Sequence, residues 1–289
     1  VVSNTILTPP KGTLNSTMSF VAVKVLGAAG TGVPGVPVTL SGPGGTSVVT
    51  SADDGCSVFA VTTMGSYTAS INSAGFVTFD GLTSSSKPPT TVTAGTLTQL
   101  NFAYDRASSI VVSYADDGVH ALPTPLPGLT YFNTGLLPSG TRTVPVGASS
   151  MTLSNLWPFS DGYSIWAGTC KQADPASSGA SRPAAEPMTP GTTQTTAVAL
   201  APVQIKATRA DGSPLPSTVV RAIPNDTTGC AAGELALTLG TTGAGGNLLT
   251  SLPGGAWKLQ LLDGVGSPRL LDNGSTFALT PPMVVGAAE

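Results

Sequence analysis

The chain has 289 residues, of which 9% are charged and 40% are hydrophobic, and its formal net charge is −3. Proteins bind DNA, RNA and anionic membranes through clustered Lys and Arg, so this composition argues against nucleic acid as a partner. No apolar run approaches the ~20 residues that are needed to cross a bilayer. Contact with a membrane is therefore expected only through a segment that is not present in this chain.

The inventory of reactive side chains is small. The chain contains three cysteines, Cys56, Cys170 and Cys230, and a single histidine, His120. The cysteines form no C-x-x-C pair, and the sequence lacks the nucleophile-elbow, zinc-protease and phosphate-loop motifs. We therefore expect a protein that is not an enzyme and that binds no metal or cofactor.

The first third of the chain reads as a series of strands. Alternation of apolar and polar residues begins at Met18, and the segments that follow are rich in Val, Thr and aromatic residues. Gly/Pro turns separate them, and Pro9-Pro10 keeps the polar lead-in out of a sheet interior. Strands are predicted over residues 20–26, 38–40, 56–61, 67–71, 77–79 and 97–104.

The rest of the chain continues in the same manner, with one interruption. Residues 171–196 are rich in Pro, Ala, Ser and Thr and contain almost no large apolar side chain, which predicts a long exposed excursion. No window shows the 3.6-residue apolar period of a helix, so helices should be scarce. Further strands are predicted over residues 110–114, 126–132, 151–153, 163–166, 196–201, 203–208, 217–223, 234–239, 247–252, 257–262 and 276–279.

A short sequence motif recurs three times, as Gly65-Ser66-Tyr67, Gly162-Tyr163 and Gly255-Ala256-Trp257. Its aromatic residues lie 96 and 94 residues apart, which is the length of a small β-sandwich domain. The repeat predicts an all-β protein of three sandwich domains over residues 1–106, 107–202 and 203–289, the second of which carries the excursion.

Several segments resemble a known family. In the first domain these segments are Gly55-Cys56-Ser57-Val58-Phe59, Gly65-Ser66-Tyr67-Thr68 and Ala74-Gly75-Phe76-Val77. With them, the first domain resembles the carboxypeptidase-regulatory-like, or transthyretin-like, β-sandwich repeats. Together with the run from Asn101 to Ala107 and the run from Gly162 to Cys170, they make the chain similar to ectodomains of actinobacterial prepilin-type (type IV pilin-like) surface proteins.

The resemblance carries expectations about fold and function. It implies three tandem immunoglobulin-like or transthyretin-like sandwiches in an elongated rod with little helix. It also implies an extracellular location at the cell surface and a structural role, as a subunit or tip component of a pilus-like filament. The partners would be other copies of the chain or other filament subunits.

The cysteines admit more than one pairing. Cys170 and Cys230 lie on either side of the boundary between the second and third predicted domains, so we expect a disulfide between them. The alternatives are that both are unpaired or that Cys56 is a partner. Cys56 itself precedes an apolar strand and is expected to be a small buried hydrophobe.

An adhesin module that binds a glycan or a host surface is the alternative function. The second domain holds the densest group of aromatic residues, and such rings can stack on sugars. The same residues are also candidates for the core. The residues in question are Tyr131, Phe132, Trp157 and Trp166.

Three other sets of residues have simpler interpretations than the specialised ones. Lys24 and Lys206 are expected to be exposed lysines rather than partners of Asn101 in an isopeptide bond. Aspartates in short clusters are expected to serve turns rather than calcium, because their spacing does not match a dedicated loop. Glycans are conceivable at three N-glycosylation acceptor patterns and in the Ser/Thr/Pro stretch; these are Asn15, Asn225, Asn273 and residues 175–196.

Overall fold

The computed structural model describes residues 18–136, 140–145, 148–209, 211–262 and 283–285. This part of the chain is all-β, as predicted, with strands in several sheets and helical turns confined to the 3-10 segments Lys171–Ala173, Pro175–Ser178 and Ala232–Glu234. None of the described helical segments is both long and apolar enough to cross a membrane.

The described residues fall into two compact units. Unit 1 comprises residues 18–108, 155–160 and 189–192, and unit 2 comprises the remainder. The predicted division into three domains, with boundaries at residues 106 and 202, stays a prediction.

The main sheets of unit 1 are built from its first nine strands. One sheet has the order β4-β1-β9, and the other has the order β3-β2-β5-β7, with β8 paired to β5; the short strands β6 and β10 pair with each other. The strands are β1 (Ser19–Leu26), β2 (Pro37–Gly42), β3 (Gly45–Thr50), β4 (Cys56–Val61), β5 (Gly65–Asn72), β6 (Phe76–Val77), β7 (Ser84–Ser86), β8 (Thr90–Val92), β9 (Leu97–Ala103) and β10 (Asp105–Arg106).

Strict alternation along β1 defines the core of unit 1. Ser19, Val21, Val23 and Val25 are buried while the residues between them are half-buried, as expected for a strand with one face on the core. Tyr104 is fully buried, and its hydroxyl donates to Thr83 O at 2.6 Å and accepts from Ser73 N at 2.8 Å. The buried phenol therefore keeps its polar end satisfied.

The first part of unit 2 contains two three-stranded sheets, with orders β14-β11-β16 and β13-β12-β15. Strands β15 and β16 each lie at the end of their sheet's strand order. The strands are β11 (Ser108–Tyr114), β12 (Leu129–Phe132), β13 (Thr141–Val144), β14 (Ser150–Leu156), β15 (Ser164–Ala167) and β16 (Thr193–Val198).

The second part of unit 2 contains the sheet β17-β20 and the sheet β19-β18-β21-β22. Its core centres on Trp257, which is fully buried and donates its indole N–H to Pro253 O at 2.9 Å. The strands are β17 (Ala201–Lys206), β18 (Val219–Pro224), β19 (Leu237–Thr241), β20 (Asn247–Leu252), β21 (Gly255–Leu262) and β22 (Met283–Val285).

Several strand predictions need correction; the strand predicted over 126–132, for example, begins only at Leu129. The segment predicted as a strand from Glu234 begins instead with the 3-10 turn Ala232–Glu234, and β19 starts only at Leu237. The two strands predicted over 196–201 and 203–208 are present as β16 and β17, but each begins two or three residues earlier, at Thr193 and Ala201. The strand predicted over 276–279 lies outside the described residues.

The three aromatic residues of the repeated motif are all buried. Tyr67, Tyr163 and Trp257 are 5%, 4% and 0% exposed. The motif therefore marks residues of the hydrophobic core, because a turn with glycine places a large ring where it can fill the space between sheets.

Candidate functional site

The most distinctive group of side chains lies within unit 2, around the end of β15. Cys170 follows β15 and forms a disulfide with Cys230, with an S–S distance of 2.03 Å and a Cα–Cα distance of 3.9 Å. The predicted pairing is confirmed. Backbone pairing supports the bridge, because Lys171 N donates to Thr228 O at 2.8 Å.

Glu234 is the second member of this group. Its side chain is 0% exposed, and its carboxylate accepts from Gly128 N at 2.5 Å, from Thr169 N at 2.8 Å and from Thr169 Oγ1 at 2.9 Å. No basic group among the described residues forms an ion pair with it. Three donors from two other segments therefore replace the water that a buried carboxylate loses.

The surroundings of Glu234 leave little room. A Cβ at Gly128 would lie 2.3 Å from Val144 O and 3.1 Å from Glu234 Oε1. Thr169 Oγ1 also accepts from Ala231 N at 2.7 Å while it donates to the carboxylate.

We call the set of Gly128, Thr169, Cys170, Cys230 and Glu234 the junction. It joins residues 128–170 to residues 230–234 by one covalent bond and several hydrogen bonds.

Two backbone bridges strengthen the same connection. Ala121 pairs with Thr250, and Thr124 pairs with Thr238. Thr250 Oγ1 donates to Ala121 O at 3.0 Å. The loop that leaves β11 is thus fixed to β19 and β20 before it enters β12.

The predicted excursion is anchored by a charged pair. Arg182 donates to both oxygens of Asp174, from Nε at 2.9 Å and from a terminal nitrogen at 2.7 Å. Its guanidinium lies 3.8 Å above the ring centroid of Phe132 and 5.5 Å from that of Trp166. Bidentate pairing and stacking on aromatic rings both favour arginine over lysine here.

The pKa of Asp174 reports this environment. Partial burial alone would raise the pKa, but the hydrogen bonds from Arg182 and Ala176 N and the charge of Arg182 outweigh it and lower the pKa below its ordinary value. We call the Asp174–Arg182 pair with the Phe132 and Trp166 rings the clasp. It ties the excursion to β12 and β15, so the excursion is less free than its composition predicts.

The four aromatic residues predicted to face a ligand differ in exposure. Trp157 and Trp166 are each 6% exposed, and Tyr131 and Phe132 are half-buried. Tyr131 packs edge-on against Tyr163 with ring centroids 5.8 Å apart. Phe132 and Trp166 meet at Arg182, whereas Trp157 belongs to unit 1. Sugar stacking on these rings stays a prediction.

Cys56 differs from its predicted environment. It is half-buried and free, on the outer face of β4, because Ser57, Phe59 and Val61 occupy the inward positions of the alternation. Burial of the thiol, followed by its hydrogen bond with Asp54 and the charge of that residue, raises its pKa. A raised pKa keeps the thiol protonated and reduces its reactivity.

The clustered aspartates accept hydrogen bonds from nearby backbone N–H groups. Asp54 accepts from Cys56 N at 2.9 Å, Asp116 from Gly118 N at 2.8 Å, and Asp211 from Ser213 N at 2.9 Å. Asp117 accepts from Val119 N, His120 N and the His120 ring. These contacts are those of Asx turns. Among the described residues, no three His, Cys, Asp or Glu side chains are grouped as metal ligands.

The lysines lie on outer faces of their strands. Lys24 is half-buried in β1 and stands opposite Cys56 of β4 and Asn101 of β9. Asn101 is exposed, and so is Lys206 in β17. Expected exposure is thus correct for Lys206, while Lys24 is partly covered by its neighbours.

The fold places the chain among all-β proteins built from several packed sheets. No protein-family model matches it, and no curated protein matches it. Among solved structures, it is similar to the Bacillus anthracis TIE protein, with 14% identity and a TM-score of 0.32 over 94% of this chain and 48% of that protein. The chain thus spans about half the length of that protein.

Two pilins are also similar to the chain. The major pilin subunit of Bacillus cereus has 12% identity and a TM-score of 0.24, over 94% of this chain and 96% of the pilin. The minor pilin of Streptococcus agalactiae has 10% identity and a TM-score of 0.26, over 63% of this chain and 94% of the pilin.

Proposed function

We propose that this protein is a structural subunit of an extracellular, pilus-like filament at the cell surface. The observation that carries the proposal is the pairing of strands that lie far apart in sequence. β1 runs parallel to β9 from Phe20↔Leu97 to Leu26↔Ala103, and β11 runs parallel to β16 from Ser109↔Thr193 to Tyr114↔Val198.

Parallel pairing of an earlier and a later strand has a mechanical consequence. Tension applied to the chain before the earlier strand and after the later strand pulls the start of the one and the end of the other in opposite directions. Because the two strands are parallel, this force shears all the interstrand hydrogen bonds together and does not open them one at a time. A subunit that must transmit tension along a filament benefits from this arrangement, since forced unfolding is governed by the unfolding rate.

The junction supports the same role. Its disulfide and the buried Glu234 carboxylate connect two parts of unit 2 that are 60 or more residues apart in sequence. Disulfides persist in oxidising compartments, which supports an extracellular location. The partners of such a subunit would be further copies of itself or other filament subunits.

Strand β3 offers a route to assembly. It lies at the end of its sheet's strand order, pairs only with β2 among the described strands, and is mostly exposed along its length. Val48 in this strand is 60% exposed. An edge of this kind can pair with a strand of another chain.

Immunogold electron microscopy of the native cell surface tests the proposal. Antibodies against the described part of the chain should label ordered filaments, and filament preparations should contain the chain. Label that is diffuse over the surface, with the chain recovered only as monomers, would overturn the proposal.

A further inference from the structure

A cavity of about 200 Å³ lies in unit 2 beside the clasp. Its walls come from β15, from the two 3-10 turns that follow it and from the end of β16. The residues that matter most here are Trp166, Gln172, Ala173, Asp174, Val198 and Ala201. It includes no residue of the junction and none of β3, the edge strand through which assembly is proposed.

Two polar groups of this cavity's lining have no partner. The indole Nε1 of Trp166 and the amide Nε2 of Gln172 are both buried from solvent and form no hydrogen bond within the described part of the chain. Only Arg221 Nε shares this state among the described residues. The Trp166 side chain is 6% exposed, and its indole N–H has no access to bulk water.

The orientation of Gln172 follows from a second contact. Its Oε1 accepts from Asp226 N at 3.0 Å, which leaves Nε2 as the free end of the amide. A buried donor without a partner is costly and uncommon, so two of them lining one cavity are an unusual concentration. A molecule that brings acceptor oxygens to these donors would recover that cost.

The lining also defines the chemistry of that molecule. Among the described residues that line the cavity, Asp174 is the only acidic one, and both of its oxygens accept hydrogen bonds from Arg182. The donors are neutral, and Ala173, Val198 and Ala201 provide a small apolar wall. A neutral group with a carbonyl oxygen and a methyl group fits this combination. Because sites for drug-sized ligands measure about 300 to 1,000 Å³, the cavity suits one ring or one acyl group.

We propose that this cavity binds the acetamido group of an N-acetylated amino sugar. The carbonyl oxygen accepts from Trp166 Nε1 and Gln172 Nε2, and the methyl group packs against the small apolar wall. An extended peptide has the same amide chemistry but needs a free strand edge. Part of the β15 edge is already occupied, by the Tyr163↔Glu186 bridge and by the hydrogen bond from Ser164 Oγ to Pro183 O at 2.7 Å.

The test is a titration of the ¹⁵N-labelled chain with N-acetylglucosamine and N-acetylgalactosamine, followed by NMR. The Trp166 indole and Gln172 side-chain amide resonances should shift in a saturable manner, with Kd on the order of 1 mM for a single sugar. Glucose and galactose, which lack the acetamido group, should leave both resonances in place. Absence of a saturable shift with either acetylated sugar would overturn the proposal.

Two variants separate the site from the fold. Trp166→Phe removes the indole N–H but keeps a ring beside Arg182, and Gln172→Glu keeps the acceptor for Asp226 N but removes the free donor. Each should weaken binding about 3- to 10-fold, the value of one hydrogen bond. Gln99→Glu, at an exposed position of β9, is the matched control for the charge change and should bind as the parent chain does.

The remaining outcomes also decide the matter. Unchanged binding in a folded Gln172→Glu variant would overturn the site even if Trp166→Phe failed to fold. N-acetylalanine N-methylamide carries the same acyl amide without the sugar. If it bound as tightly as the acetylated sugars and shifted the same resonances, the assignment to an amino sugar would be wrong.

Discussion

At the scale of single residues, Glu234 carries the largest energetic consequence. A fully buried carboxylate without an ion pair is stable only because Gly128 N, Thr169 N and Thr169 Oγ1 donate to it. Replacing Glu234 with Ala leaves these donors unpaired and opens a void. We expect the free energy of unfolding to fall by about 3 kcal/mol or more, measured by urea denaturation.

Glu234→Gln refines this experiment. The amide keeps the volume but places an NH₂ group against donors, so we expect an intermediate loss of about 2 kcal/mol. Glu186→Ala, at an exposed carboxylate in the excursion, is the control and should change stability by less than about 0.5 kcal/mol. Equal stability of the Glu234→Ala variant and the control would show that the carboxylate is not holding the junction.

Asp117 is a second residue with a measurable signature. Hydrogen bonds from His120 N, from the His120 ring and from Val119 N lower its pKa to about 2. Because the folded pKa lies below the ordinary value of 3.8, the contribution of this carboxylate is complete above that pH and is lost as the pH falls towards 2. An NMR titration of the Asp117 side chain should give a midpoint near 2, and a midpoint near 3.8 would contradict the turn geometry.

At the scale of elements, the clasp decides how the excursion behaves. Arg182→Ala removes the bidentate pair with Asp174 and the cover over Phe132. The loss should be about 1 to 2 kcal/mol, since the pair is partly exposed at 26% and 21%. Limited digestion with an elastase-type protease should then cut residues 176–187 faster than in the parent chain.

A conservative variant serves as the control for the clasp. Arg182→Lys keeps the charge but loses the planar fork, so its cleavage rate should lie between those of the parent and Arg182→Ala. The lowered pKa of Asp174 means that the contribution of the clasp is present above the ordinary carboxyl range and disappears as the pH falls below it. Cleavage that is equally slow in all three chains at neutral pH would show that other contacts hold the excursion.

Elements also show how far the sequence predicts this fold. Strands with one face on the core, such as β4 and β20, were predicted at their observed bounds because alternation is visible in the residues themselves. The edge strand β3 was missed, since five of its six residues are exposed and it carries no alternation. Its position depends on pairing with β2, which no local pattern reports.

The site was predictable only in part, for a related reason. The Cys170–Cys230 bridge is the preferred pairing of the sequence analysis, because the two cysteines lie on either side of one predicted boundary, and the structure excludes the alternatives that the sequence leaves open. Glu234 was assigned to a strand, because the donors that hold it come from Gly128 and Thr169, which are distant in sequence. The clasp is not predicted either, since the composition of residues 171–196 indicates an exposed excursion and a single Arg182 does not reveal its aromatic partners.

At the scale of the whole molecule, the disulfide should account for a substantial part of the stability. It closes a loop with a sequence separation of 60 residues. Replacing Cys170 and Cys230 together with Ala should lower the free energy of unfolding by about 2 to 4 kcal/mol in urea denaturation. Cys56→Ser is the control, because Cys56 is free and half-buried. A strong reductant should lower the stability of the parent and of Cys56→Ser, but not of the double variant.

Assembly through β3 gives the last prediction. Val48→Lys places a charge on an exposed edge strand, and lysine at an edge opposes pairing with another chain. We expect this variant to show at least about tenfold weaker self-association than the parent in sedimentation velocity, while its melting temperature stays within a few degrees. Val119→Lys is the matched control. Val119 is 61% exposed in a loop of unit 2, so this substitution adds the same charge outside the strands. Equal association of the two variants would contradict assembly through β3, because any change from the parent would then be an effect of net charge alone.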